Sequence, residues 1–108
     1  MTGGRRTLLG EQEIARGLQQ LPGWFHEAGA LVKIYNTSGW PVTLLLVNAI
    51  GFAAEALDHH PDLEVQWGRV KVRLSTHSAG GVTQMDLELA RQIEDVAARG
   101  MPRKLIRP

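Results

Sequence analysis

The apolar positions of this chain change period along its length, and each change predicts an element. Ile14, Leu18 and Leu21 recur at helical spacing among Glu11, Glu13, Arg16, Gln19 and Gln20. This predicts a short amphipathic helix over residues 11–21, stopped by Pro22-Gly23. Two strands are expected next, at 24–27 and 31–37, joined by a turn at Ala28-Gly29-Ala30. In the second strand Leu31, Lys33, Tyr35 and Thr37 share one face, and Val32, Ile34 and Asn36 the other. Ser38-Gly39-Trp40-Pro41 reads as a helix start, because proline in a first turn gives up an N–H that has no helical partner anyway.

The helix that follows is expected to run to about Leu57. Its apolar residues, from Val42 and Leu44 through Ile50 and Phe52 to Ala56 and Leu57, cover nearly the whole circumference. A helix apolar all round is normally buried on both sides. One sheet in a small domain covers one side only, so the other is expected to meet a second subunit. The same stretch is borderline in length for a membrane span. Thr43, Asn48, Gly51 and Glu55 interrupt it and no basic flank follows, so a buried helix is the expectation and no membrane is invoked.

Beyond it, Asp58-His59-His60-Pro61-Asp62 forms an exit loop, in which Pro61 biases His60 toward an extended conformation. A strand at 63–67 and a turn at Gly68-Arg69 follow. Val70, Val72 and Leu74 then alternate with Lys71, Arg73 and Ser75 in a half-buried strand ending near Thr76-His77. Ser78-Ala79-Gly80-Gly81 is a loop. Thr83, with Asp86 three residues on, resembles a capping box in which aspartate replaces the usual glutamate or glutamine. The last helix is expected over 84–99, burying Leu87, Ala90, Ile93, Val96 and Ala97 and ended by Gly100 and Pro102. The order is α-β-β-α-β-β-α. It predicts an α+β fold with a four-stranded antiparallel sheet covered by helices on one face.

Composition bounds the function. The chain has 108 residues, 44% of them hydrophobic and 21% charged, as expected of one globular domain spanning 1–108, with flexible ends at about 1–10 and 100–108. A chain this short buries a modest share of its surface, so oligomerisation would help it. The formal net charge is +1, which gives no global argument for a polyanionic partner. Arg99, Arg103, Lys104 and Arg107 would bind phosphate weakly and without sequence preference, so nucleic acid is not the expected partner. There is no cysteine, hence no disulfide framework, thiolate nucleophile or zinc–thiolate site. That composition fits a cytoplasmic protein. The apolar run of a secretory leader is absent behind Arg5-Arg6.

Three of the four histidines lie in the second half: His59 and His60, held next to the rigid Pro61, and His77 one hairpin later. Histidine alone has an unperturbed pKa near neutrality and can both give and take a proton there. The hairpin should return His77 toward His59-His60, so that three imidazoles meet at one pocket edge. Such a site could protonate a leaving hydroxyl without any metal. Each residue also has a plainer reading. Asp86 suits a first-turn helix position next to the dipole. Glu55 could orient an imidazole or end a solvated helix. Trp67 suits hairpin packing, and His26 the surface. A zinc site would need His59, His60 and His77, or Glu55 with His59, in suitable geometry.

The spacing also resembles a known family. Five residues separate Pro61 from Trp67, nine separate Trp67 from His77 and eight separate His77 from Asp86. The runs Ala54-Glu55-Ala56-Leu57-Asp58-His59-His60-Pro61-Asp62 and Leu74-Ser75-Thr76-His77, then Gly80-Gly81, Asp86 and Leu89-Ala90, are similar to the signature of the pterin-4a-carbinolamine dehydratases. The resemblance runs from Trp24 through the last helix. It implies elimination of water from 4a-hydroxytetrahydropterin to give quinonoid dihydropterin, with no metal or organic cofactor, in pterin recycling. It implies that His59 and His77 act as general acids on the 4a-hydroxyl and that His60 binds the pterin. Glu55 and Asp86 would be the accompanying acids, and Pro61, Ser75 and Thr76 would line or support the site. It also implies homodimers or homotetramers built through helix 40–57. A non-catalytic role as a protein-binding or assembly factor, or as a transcriptional coactivator, is the alternative. Where the family usually has phenylalanines and an acidic residue, this chain has Tyr35, Thr37, Gly39 and Trp40. Ala79 stands where some animal members carry a cysteine.

Overall fold

The structure is a computed structural model that describes residues 4–99. A 3-10 turn at Gly4–Arg6 precedes α1 (Glu11–Leu18), β1 (Phe25–Glu27), β2 (Ala30–Asn36) and α2 (Trp40–Leu57). β3 (Asp62–Gln66), β4 (Arg69–Leu74), a 3-10 turn at His77–Ala79 and α3 (Gln84–Arg99) complete the order. The four strands form one antiparallel sheet in the order β1-β2-β4-β3. The basic tail at 103–107 and the helix stop at Gly100 and Pro102 lie outside the described residues.

Register puts the apolar residues of the central strands on one face. Leu31 pairs with Leu74, Lys33 with Val72 and Tyr35 with Val70. All of these except Lys33 are buried, and they meet Leu46 and Ile50 of α2 and Leu89 and Ile93 of α3 in one core. α2 packs over β3 and β4, and α3 over β2 and β4. Full burial of a leucine or isoleucine stabilises by roughly 1.5–3 kcal/mol, so this layer carries the fold. The opposite sheet face carries Arg69, Lys71 and Arg73 of β4, the exposed Ile34 of β2 and the exposed Phe25 of β1.

α1 is shorter than its periodicity suggests. After Leu18 the chain tightens into i→i−3 bonds, from Gln20 to Gly17 and from Leu21 to Leu18, and these carry Leu21 into the core without further helix. α1 also lies close on α3. A Cβ at Gly17 would come within 2.7 Å of the Leu87 side chain, so any larger residue there would have to displace Leu87.

α2 is buried along one face only. Val42, Thr43, Leu46, Ile50 and Ala54 face the core, whereas Trp40, Leu44, Leu45 and Phe52 are exposed. Its length and mean hydropathy of 1.5 would pass for a membrane span, yet only 28% of it is buried within the chain. The burial expected on both sides is therefore half supplied by this chain.

A polar cluster pins α3 to the sheet. Glu94 Oε2 accepts from Lys33 Nζ, from the Tyr35 hydroxyl and, at 3.1 Å, from Trp24 Nε1–H. Lys33 also donates to Pro22 O at 2.9 Å and sits 4.7 Å from the centre of the Tyr35 ring. Burial works against the charge on Glu94. The Lys33 ammonium and the Tyr35 and Trp24 donors outweigh it and hold the carboxyl below its usual range. Burial first, and then the adjacent Glu94, push the Tyr35 hydroxyl far above its ordinary value.

Candidate active site

The site is built at the C-terminal end of α2. Asp58 takes the left-handed conformation there, with φ 52°. Its N–H bonds Glu55 O and the next N–H, of His59, reaches back to Ala54 O, both at 3.1 Å. These bonds close a Schellman-type helix end, where glycine is usual and aspartate is tolerated because its side chain is short and polar. The reversal sends two adjacent histidines in different directions. His59 turns inward and is only 7% exposed, whereas His60 faces out.

His59 Nε2 lies 2.6 Å from Asp86 Oδ1. Asp86 is fully buried in the first turn of α3. Its second oxygen accepts the Thr76 hydroxyl and the Thr83 N–H, each at 2.8 Å. The bond to Thr83 N–H is half of the capping box expected from the sequence. In place of the other half, the Thr83 hydroxyl accepts from Met85 N–H at 3.2 Å, one residue earlier than the Asp86 N–H that a full box would use. Thr76 spends its hydrogen on the carboxylate, so across their 2.7 Å contact Thr83 donates to Thr76. Asp86 thus accepts three hydrogen bonds and caps a helix while it contacts His59. A carboxylate only accepts, so His59 carries its hydrogen on Nε2 and Nδ1 is left for a ligand. No buried side-chain nitrogen or oxygen among the described residues lacks a partner, so Nδ1 is not sealed away.

His60 Nε2 is 2.8 Å from Glu55 Oε1, on the surface. Exposed pairs of this kind contribute little stability. His77 opens the 3-10 turn after β4 and is exposed. The bond from Thr76 N–H to Gly81 O, at 2.8 Å, closes that loop.

The three histidines line one cavity of about 310 Å³, together with Ser75 and Thr76. That is near the lower bound for small-molecule sites, roughly 300 Å³. Ser75 also donates to Gly29 O at 3.1 Å, which ties the cavity wall to the β1–β2 turn. Asp86 does not line the cavity itself and meets it through His59 and Thr76. Glu55 reaches the cavity only through His60, and with His60, Pro61 and Leu63 of β3 it lines a second, apolar groove beside α2. Among the described residues, no three His, Asp or Glu side chains are arranged to hold a metal ion. Trp67 and His26 are exposed and lie outside the cavity.

Three further residues, Arg6, Asp58 and Ser78, line the cavity without a sequence signal that marked them as site residues. Asp58 and Ser78 flank the histidines, and adjacency alone could have suggested them. Arg6 comes from the segment before α1, where no local pattern points to a site.

The sequence matches the family described as "Pterin 4 alpha carbinolamine dehydratase" over residues 7–96. Among curated proteins, it is 46% identical over 88 residues to an Aquifex aeolicus protein named "Putative pterin-4-alpha-carbinolamine dehydratase", covering 82% of this chain and 89% of that one. It is 41% identical over 90 residues to a Nocardia farcinica protein of the same name, covering 83% and 95%. Among solved structures, one described as transcriptional coactivator/pterin dehydratase from Brucella melitensis superposes with a TM-score of 0.79 at 32% identity, over 82% of this chain and 97% of that one. With a match of this extent, and relatives this similar along most of their length, the chain belongs to the pterin-4a-carbinolamine dehydratase family.

Proposed function

We propose that this protein dehydrates 4a-hydroxytetrahydropterin to quinonoid dihydropterin in the cytoplasm. The single observation that carries the reading is the buried His59–Asp86 pair at the wall of a cavity shared with His60 and His77. In the reaction the C4a–O bond breaks and the hydroxyl leaves as water, with a proton supplied by an imidazole. The N5–H proton is lost, and its electron pair forms the C4a=N5 double bond. His59 and His77 carry the proton transfers, and His60, steadied by Glu55, contacts the pterin ring. Asp86 fixes the His59 tautomer and balances the imidazolium that forms when His59 is protonated. Ser75 and Thr76 form the wall of the pterin site, and Pro61 stiffens the loop that presents His60. The test is the rate of carbinolamine dehydration. His59→Ala and His77→Ala should each lose roughly 10²–10⁴-fold, and wild-type rates in both variants would end the assignment.

The exposed apolar face of α2 supports a homo-oligomer, a dimer or tetramer, built through Trp40–Leu57. The same face would serve a protein-binding role, and the Brucella melitensis relative is described as a transcriptional coactivator as well as a pterin dehydratase. A stoichiometric protein partner combined with no turnover of the carbinolamine would favour that second reading over the enzyme.

A further inference from the structure

The segment before α1 lies across the site. Leu9 donates its N–H to Val82 O at 2.9 Å, and its side chain packs against the core. Leu8 covers Gly81 so closely that a Cβ there would come within 2.7 Å of Leu8 Cδ1. These contacts fix the segment beside the loop that carries His77, and the turn Gly4–Arg6 then brings Arg6 into the cavity lining. The guanidinium donates to Asp58 O at 3.3 Å, a carbonyl at the C-terminal end of α2 and one residue before His59. The partial negative charge of a helix C-terminus explains why a cation settles there.

That single long bond does not use up the group. A guanidinium has five N–H donors, and among the described residues Arg6 makes no ion pair. Its neighbours at the site are matched, His59 with Asp86 and His60 with Glu55. Asp58 also lines the cavity, but its carboxylate is not within ion-pair distance of Arg6. Arg6 is thus a cation with free donors, held at a cavity that it lines together with His59, His60 and His77.

We propose that Arg6 is a specificity-determining residue: it receives an anionic group, a carboxylate or a phosphate, on the substituent of the bound pterin. The proposal rests on the pterin reading above. With the ring among the histidines, a substituent directed toward Arg6 meets the guanidinium, whose planar fork fits carboxylate and phosphate oxygens two at a time. The family match begins at residue 7, so this preference comes from a residue just outside the shared stretch.

The test is equilibrium binding to the full-length protein, read by pterin fluorescence. The ligands are 6-carboxypterin, the phosphate monoester of 6-hydroxymethylpterin, and neutral 6-hydroxymethylpterin. At low salt, at least one anionic ligand should bind roughly three- to tenfold tighter than the neutral one. Whichever anion is preferred gives the class of group that Arg6 receives. The advantage should shrink at about 0.5 M salt through screening. Arg6→Ala should bring the ratio of affinities to near one, Arg6→Lys should keep part of it, and Arg5→Ala, whose side chain does not line the cavity, should keep all of it. Equal affinity for charged and neutral ligands in the wild type, or an intact ratio in Arg6→Ala, overturns the proposal. Failure of the wild type to bind any of the three overturns the pterin reading with it. Good binding of the neutral ligand without preference overturns the role of Arg6 alone.

Discussion

Replacing Asp86 with asparagine isolates what the buried carboxylate does for His59. The native group accepts three hydrogen bonds, one at Oδ1 from His59 Nε2–H and two at Oδ2 from the Thr76 hydroxyl and the Thr83 N–H. Asparagine offers one acceptor oxygen and one NH2. Two donors converge on the Oδ2 side, so the amide oxygen takes that side and the NH2 faces His59. His59 then keeps a bond only by accepting at Nε2, which moves its hydrogen to Nδ1 and reverses what the ring presents to the cavity. The imidazolium also loses its counter-charge. A hydrogen bond to a buried charged group contributes roughly 1.5–3 kcal/mol, which a domain with the usual 5–15 kcal/mol of stability survives folded. Loss of a positioned acid–base group costs roughly 10²–10⁴-fold in rate. Urea denaturation and carbinolamine turnover, measured at one temperature on the same samples, separate the two effects. The imidazole nitrogen shifts in NMR report the tautomer directly. A folded Asp86→Asn protein that turns over at the wild-type rate, or that keeps the Nε2–H tautomer, refutes the reasoning.

Two further expectations concern stability and assembly. Glu94 has its carboxyl held below the usual range in the folded protein, so its stabilisation is present above the unfolded value and is lost as pH falls through the folded one. Glu94→Gln should therefore flatten the loss of stability between about pH 5 and pH 3 in urea titrations, and an unchanged slope would remove Glu94 from the acid response. Phe52 and Leu45 are exposed on the outer face of α2, so light scattering at micromolar concentration should find a dimer or larger species that Phe52→Glu with Leu45→Glu reduces to monomer. A monomeric wild type would contradict the subunit contact.

Most of the fold was legible because its signals are local. The alternation of Val70, Val72 and Leu74, the proline at the start of α2 and the Thr83–Asp86 spacing each depend on neighbours within a few residues. The features that were not legible join distant parts of the chain. Glu94 gathers donors from Trp24, Lys33 and Tyr35, and no window of sequence contains both sides. Arg6 reaches the site only because Leu8 and Leu9 dock beside Gly81 and Val82. The pairing of Glu55 was open for another reason. Its place four residues before His59 suggests that imidazole on a continuing helix, but the left-handed Asp58 breaks the helical phase and gives Glu55 to His60.

That break in phase also explains why the site needs two helix ends. A continuous helix would keep His59 and His60 about 100° apart on one surface, both solvated. The Schellman-type turn instead buries one histidine and exposes the next, and the buried one must meet an acceptor or carry an unpaired N–H. Asp86 supplies that acceptor from the start of α3, where the same carboxylate closes the helix cap. Substitutions at Asp58, Thr83 and Asp86 should therefore change both the stability of a helix end and the orientation of an imidazole. A change at Glu94, whose partners Trp24, Lys33 and Tyr35 do not line the cavity, should change stability alone.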